Sequence, residues 1–148
     1  MIKEIITYSE ADTFQLGNRL SGILSPGDVV GFTGELGAGK TVLIKGILAR
    51  LGYNPRNVVS ASFVIAQEYK VKYPVVHIDL YRFENNEEIN YLDWDSYISS
   101  DKLVLIEWAE KIKEVFCINV SVKMDIISES KRKIFFETDK QNLKDILK

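Results

Sequence analysis

The stretch VVGFTGELGAGKT, Val29 to Thr41, passes from five mostly branched, apolar residues into a glycine-rich turn that ends in a Lys-Thr pair. VVGFT suits a strand buried on both faces. Lys40 through Leu51 reads as a helix closed by Gly52. Between them GELGAGKT satisfies the G-x-x-x-x-G-K-[ST] pattern in its proper setting, with a buried strand entering and a helix leaving. The glycines let successive backbone N–H groups curl toward a β-phosphate, and the helix N-terminus adds a potential that favours negative charge. Gly34, Glu35, Leu36, Gly37, Ala38, Gly39, Lys40 and Thr41 are therefore the expected nucleotide cradle. Lys40 can reach the β- and γ-phosphates, and the Thr41 hydroxyl can ligate magnesium. A turn that merely joins strand to helix accounts for one or two glycines but not for the Lys-Thr pair.

Outward from this unit the chain alternates strand-like and helix-like segments. KEIITY, Lys3 to Tyr8, is a short β-prone run, after which Ser9, Glu10 and Asp12 can open a helix carrying Phe14, Leu16 and Leu20. VIAQEYKV and PVVHIDLY are strand candidates separated by a turn around Lys72 to Pro74. That separation is too short for a parallel crossover and predicts an antiparallel pair. The polar segment ENNEEIN leads into YLDWDSYI, a helix or pair of turns, and then into KLVLIEW, the second central strand. CINVSVKMDI and KIFFET supply further strands, and Leu143, Ile146 and Leu147 are possible contacts of a terminal helix. The expectation is an α/β fold, a P-loop NTPase-like three-layer sandwich with a mixed, mainly parallel central sheet, residues 1–148 forming a single domain.

Composition narrows the functional classes. A chain of 148 residues with 46% hydrophobic side chains can bury one sizeable core. Nineteen basic against 21 acidic residues leave a net charge of -2, so no global positive field marks a nucleic-acid binder. The one cysteine, Cys117, excludes an internal disulfide and a thiolate zinc cluster. The start MIKEIITYSE lacks the apolar stretch of a signal peptide, and no apolar run approaches the roughly 20 residues of a membrane span. A cytoplasmic protein is expected.

Hydrolysis at such a loop also needs a carboxylate opposite it, to hold magnesium or place the attacking water. Glu107 ends an apolar strand, where open α/β sheets collect ligand-binding groups, and is read as a magnesium ligand rather than a surface residue. Trp108 can pack over the nucleotide or in the core. Alternation in VVHIDLYR puts Val75, His77, Asp79 and Tyr81 on one face and Val76, Ile78 and Leu80 on the other. Asp79 can orient water or hold Arg82, and His77 can supply a hydrogen bond or be purely structural. Ser60 and Ser62, beside Phe63, can sense the γ-phosphate or satisfy a local turn.

Several loop-bearing classes fit less well. No base-reading N-K-x-D segment of a GTPase appears, the nearest being NLKD at Asn142 to Asp145. A transporter-type signature is missing too. A small-molecule kinase needs a lid with arginines, and Arg82 is the only one between Asp79 and Glu107, so the kinase stands as the alternative. A noncatalytic nucleotide sensor stays open.

Taken together, GELGAGKT, SASFVIAQEY, HIDLYR and LIEW, in this order and separation, resemble the bacterial TsaE family. The likeness runs from Asp12, Thr13, Leu16 and Gly17 through Glu107 and Trp108; only the C-terminal strands are generic. It implies an ATP- and Mg2+-dependent P-loop ATPase that works with TsaB and TsaD proteins in threonylcarbamoyladenosine modification of tRNA, reaching tRNA through that complex. Transferred residue by residue, it puts Lys40 on the phosphates, Thr41 and Glu107 on magnesium, Asp79 as an active-site carboxylate and Trp108 beside the nucleotide. It also puts Asp12 and Thr13 near the base or ribose. One departure stands out: Ser60-Ala61-Ser62-Phe63 replaces the family's Ser-Pro-Thr-Phe or Ser-Pro-Thr-Tyr, keeping a hydroxyl and releasing the φ restriction of proline. Tyr81, Phe83, Tyr91 and Trp94 are interface candidates wherever they are exposed.

Overall fold

In the computed structural model, which describes residues 1–58, 65–112 and 118–142, the strand before the glycine-rich loop lies in the middle of the sheet. Strands β1 (Ile2–Thr7), β2 (Val29–Thr33), β3 (Ala66–Lys70), β4 (Pro74–Asp79), β5 (Leu103–Glu107), β6 (Val120–Ile126) and β7 (Arg132–Thr138) form one sheet in the order β1-β7-β6-β2-β5-β4-β3. The four inner strands, β6, β2, β5 and β4, are parallel, and the margins β1/β7, β7/β6 and β4/β3 are antiparallel. The sheet is thus mixed, with three parallel pairings at its centre and three antiparallel ones at its margins. VVGFT and LVLIE are almost entirely buried, as strands covered on both faces must be.

Helices α1 (Glu10–Leu20) and α2 (Lys40–Arg50) cover one face. There Leu16, Leu20, Leu43, Ile44, Ile47 and Leu48 pack on Phe32, Leu103, Leu105, Val122 and Phe136. The short helices α3 (Asn86–Asn90) and α4 (Trp94–Tyr97) cover the other through Ile89 and Trp94, against Val76, Ile78, Val104 and Ile106. The segment ENNEEIN is a helical turn and not only a polar linker, because the Asn85 side chain caps it by accepting from the Glu88 N–H at 3.0 Å. At α1 the Ser9 hydroxyl accepts from the Asp12 N–H, and the Asp12 carboxylate reaches back to the Tyr8 N–H, both at 3.0 Å. Gly52, at φ 99°, ends α2 with Tyr53 N–H bonded to the Leu48 carbonyl and Gly52 N–H to that of Ala49.

Strand β6 starts at Val120, and just before it the Asn119 side chain accepts from the Val29 N–H and donates to the Asp28 carboxylate, both at 2.7 Å. Ser60, Ala61, Ser62, Phe63, Cys117, Leu143, Ile146 and Leu147 lie outside the described residues. No helix among those described is long and apolar enough to cross a membrane.

α1 meets α2 at two glycines. A Cβ on Gly17 would stand 2.1 Å from the Leu43 carbonyl oxygen, and one on Gly46 would stand 2.1 Å from that of Phe14. Both obstacles are backbone, which cannot swing aside. Helix propensity alone would make Gly46→Ala stabilising by about 1 kcal/mol. The close approach reverses the sign, and Gly46→Ala should lower unfolding stability by about 1–3 kcal/mol in a denaturant titration. An unchanged or raised midpoint would contradict this packing.

Candidate functional site

The glycine-rich loop takes the shape its composition permits. Gly34, Gly37 and Gly39 sit at φ 146°, 83° and 102°, and a Cβ on Gly34 would lie 2.6 Å from the Met124 carbonyl oxygen. Gly39 also serves as N-cap of α2 with no side chain capping the helix, so no side chain competes for its first N–H groups. Lys40 is buried, and its ammonium donates to the carbonyl oxygens of Gly34 and Glu35 while lying 4.1 Å from the Trp108 ring centroid. Burial lowers its pKa, against an opposing pull from Glu107, Glu110, Asp79 and Glu35.

Across from the loop stand two carboxylates in register. Phe32 on β2 aligns with Glu107 on β5, which aligns with Asp79 on β4, so three parallel strands end together. This is the carboxyl edge at which open α/β sheets hold ligands. Glu107 is 3% exposed; its Oε1 accepts from the Thr41 hydroxyl at 3.0 Å and its Oε2 lies 2.6 Å from His77 Nε2. Asp79 accepts from the Tyr81 N–H at 2.9 Å. Desolvation first, and the negative charge of Glu107 second, raise the Asp79 pKa.

These groups share a cavity of about 310 Å³ lined by Glu10, Leu36, Gly37, Ala38, Gly39, Lys40, Thr41, Val42, Asp79, Tyr81, Glu107 and Trp108. A smaller hollow of about 80 Å³ adjoins it on the far side of Ala38 and Gly39, lined by Ser9, Thr13, Glu129, Ser130 and Arg132 among others. Thr13 reaches only that hollow, its hydroxyl bonded to that of Thr7 at 2.8 Å. Asp12 lines neither; its carboxylate is engaged by the Tyr8 N–H. Of the aromatic residues considered for an interface, Tyr81 and Tyr91 are exposed, whereas Trp94 is core and Phe83 packs against it.

The donor set fits magnesium. One hydroxyl and two carboxylates face a phosphate cradle, and Mg2+ is commonly held by one or two side chains together with phosphate oxygens and water. No group of three or more His, Cys, Asp or Glu among the described residues is arranged to hold a metal by itself.

Sequence reasoning missed two residues here. Arg132, at the start of β7, donates from Nε to the Ala38 carbonyl and from Nη2 to that of Gly37, both at 3.1 Å. Lys111 donates to the carbonyls of Leu80, Tyr81 and Phe83 at 3.1, 2.9 and 2.7 Å. Neither belongs to a motif, and a basic residue near a strand or turn carries no signal that it braces a loop distant in sequence.

The electrostatics of Asp79 has a testable consequence for stability. A carboxylate with a raised folded-state pKa destabilises the fold while ionised, and the penalty fades as pH falls through that pKa. Asp79→Asn keeps an oxygen for the Tyr81 N–H and removes the charge. It should raise the melting temperature at pH 7, and the gain should shrink as the pH drops through the carboxylate range. A gain that grows toward acid pH would contradict this account.

Comparisons with known proteins agree with the geometry. The family described as "Threonylcarbamoyl adenosine biosynthesis protein TsaE" matches residues 7–134. A TsaE protein of Rickettsia felis is 34% identical over 130 residues, covering 86% of this chain and 75% of the relative. One from Aquifex aeolicus is 32% identical over 136 residues, covering 90% and 95%. The crystal structure of YdiB from Bacillus subtilis is similar with a TM-score of 0.71 at 25% identity, over 99% of this chain and 93% of that one. A match that begins at the last residue of β1, spans the loop and both carboxylates, and ends within β7 places this chain in the TsaE family.

Proposed function

We propose that this chain, as a single P-loop ATPase domain over residues 1–148, binds and hydrolyses ATP with Mg2+ to support or reset a TsaB–TsaD complex during threonylcarbamoyladenosine modification of tRNA. The relatives are named as tRNA threonylcarbamoyladenosine biosynthesis proteins, which supports the pathway. The observation that carries the chemistry is the convergence of Lys40, Thr41, Asp79 and Glu107 on one cavity at the ends of three parallel strands.

In this reading the loop amides and the α2 N-terminus bind the phosphates. Lys40 exchanges the carbonyls of Gly34 and Glu35 for phosphate oxygens, a favourable swap because phosphate charge offsets the desolvation of its ammonium. Thr41 and Glu107 hold magnesium, which when bound neutralises charge on the phosphate oxygens. Asp79 is left to orient the attacking water, and Trp108 with Tyr81, whose rings are 5.3 Å apart, walls the nucleotide from solvent. The chain works in the cytoplasm and meets tRNA through its partners, in keeping with its net charge of -2.

ATP turnover measured with and without TsaB and TsaD tests the reading. Stimulation is expected, with no threonylcarbamoyl transfer to tRNA by the isolated chain. Phosphate transfer to a small metabolite instead of water would identify a kinase. Lys40→Ala should weaken nucleotide binding and lower turnover by about 100-fold or more, in line with the loss of one preorganised electrostatic group. Glu107→Ala should chiefly reduce the magnesium-dependent rate; a rate unchanged across a magnesium titration rejects its role.

A further inference from the structure

The one histidine in the chain, His77, lies on β4 at a position with no exposure, on the sheet face that also carries Val75. Its cross-strand neighbour on β5 is Leu105. An aliphatic side chain is the default for such a place. We propose that His77 is a positioning residue for Glu107: its imidazole donates from Nε2 and orients the carboxylate so that Oε1 faces Thr41. The proposal rests on the reading of Glu107 as the magnesium-side carboxylate.

The two oxygens of Glu107 are divided between two donors, the Thr41 hydroxyl on Oε1 at 3.0 Å and the imidazole on Oε2 at 2.6 Å. A carboxylate with only one donor can rotate about its last bond; with two donors on different elements its plane is set. The Thr41 hydroxyl is itself assigned to magnesium, so in the nucleotide-bound site its bond to Oε1 is in competition with the metal. His77 is the donor that does not take part in that exchange, and it keeps the carboxylate aimed while Thr41 changes partner. Metal-site partners of this kind typically act on affinity or activity by 10–100-fold when removed.

The surroundings of His77 select its tautomer. Its Nδ1 is buried with no hydrogen-bond partner among the described residues. A proton on Nδ1 alone would leave Nε2 as a lone pair facing Oε2 at 2.6 Å, acceptor against acceptor. A proton on Nε2 makes the bond to Glu107.

Because the chain has a single histidine, 15N-histidine NMR of the full-length, nucleotide-free protein at neutral pH reads this imidazole without assignment. The expected spectrum shows a protonated Nε2. A bare Nε2, with the proton on Nδ1 alone, overturns the proposal. The second arm compares His77→Gln, whose amide N–H can stand in for Nε2–H, with His77→Met, which fills the space without a donor. His77→Met should raise the magnesium concentration for half-maximal ATP turnover by about 10–100-fold while leaving metal-free binding of a fluorescent ATP analogue unchanged. His77→Gln should recover most of that loss. An unchanged magnesium requirement in His77→Met, or no recovery in His77→Gln, defeats the proposal, and if either variant does not fold the wild-type spectrum decides. Absence of ATP turnover in the wild-type protein, with and without TsaB and TsaD, would instead overturn the ATPase reading and leave the tautomer result standing.

Discussion

Two carboxylates buried side by side at the ends of neighbouring parallel strands are the constraint around which the site is arranged. Asp79 and Glu107 are in register on β4 and β5, and both are nearly inaccessible. Like charges so placed repel, and desolvation penalises each one. Every polar contact nearby answers that penalty. Thr41 and His77 donate to Glu107, the Tyr81 N–H donates to Asp79, and the Lys40 ammonium exerts an attraction on both carboxylates. In the proposed function, the negative charge that the fold bears as a cost is also what would draw a divalent cation to the site.

The loop that faces them is braced from outside its own motif. Arg132 reaches from β7 to the carbonyls of Gly37 and Ala38, tying the loop to the hairpin between β6 and β7. On the opposite side Lys111 gathers the carbonyls of Leu80, Tyr81 and Phe83, the turn that leaves β4. The Lys111 ammonium also lies 5.6 Å from the Trp108 ring and 5.8 Å from that of Tyr81, so one charge holds both aromatic walls. Preorganisation here comes from charged side chains satisfying carbonyls that the loops cannot pair among themselves.

How much of this was legible in the sequence follows from how local each cause is. VVGFT and LVLIE announced central strands because burial on both faces demands a continuous apolar run, and GELGAGKT announced its loop because phosphate contact demands those glycines. HIDLYR placed His77 and Asp79 on one face because strand alternation is local too. The antiparallel margin at β3 and β4 followed from a turn too short to cross over. The pairing of β6 with β2, by contrast, depends on contacts far apart in sequence, and so do the braces from Arg132 and Lys111. Asp12, placed near the base or ribose by its motif, accepts from the Tyr8 N–H at the start of α1, a local bond that the motif does not announce.

Trp108 joins these strands of argument. A bulky residue at φ 60° is unfavourable for an L-amino acid, and it occurs here directly after the buried Glu107. The left-handed turn at Trp108 ends β5 at the carboxylate and folds the indole back, so that its ring meets the Lys40 ammonium at 4.1 Å. Continuing the strand in extended conformation would carry the ring away from the loop. The backbone strain is therefore tied to having a carboxylate and an aromatic wall supplied by consecutive residues of one strand end. Tyr81 meets that ring at 5.3 Å from the turn after β4, giving the second carboxylate strand the same sequel of acid followed closely by aromatic. Two neighbouring strands thus finish alike, and the cavity between them and the loop is charged at its floor and aromatic at its side. That polarity suits a nucleotide triphosphate, whose phosphates and base differ in just this way.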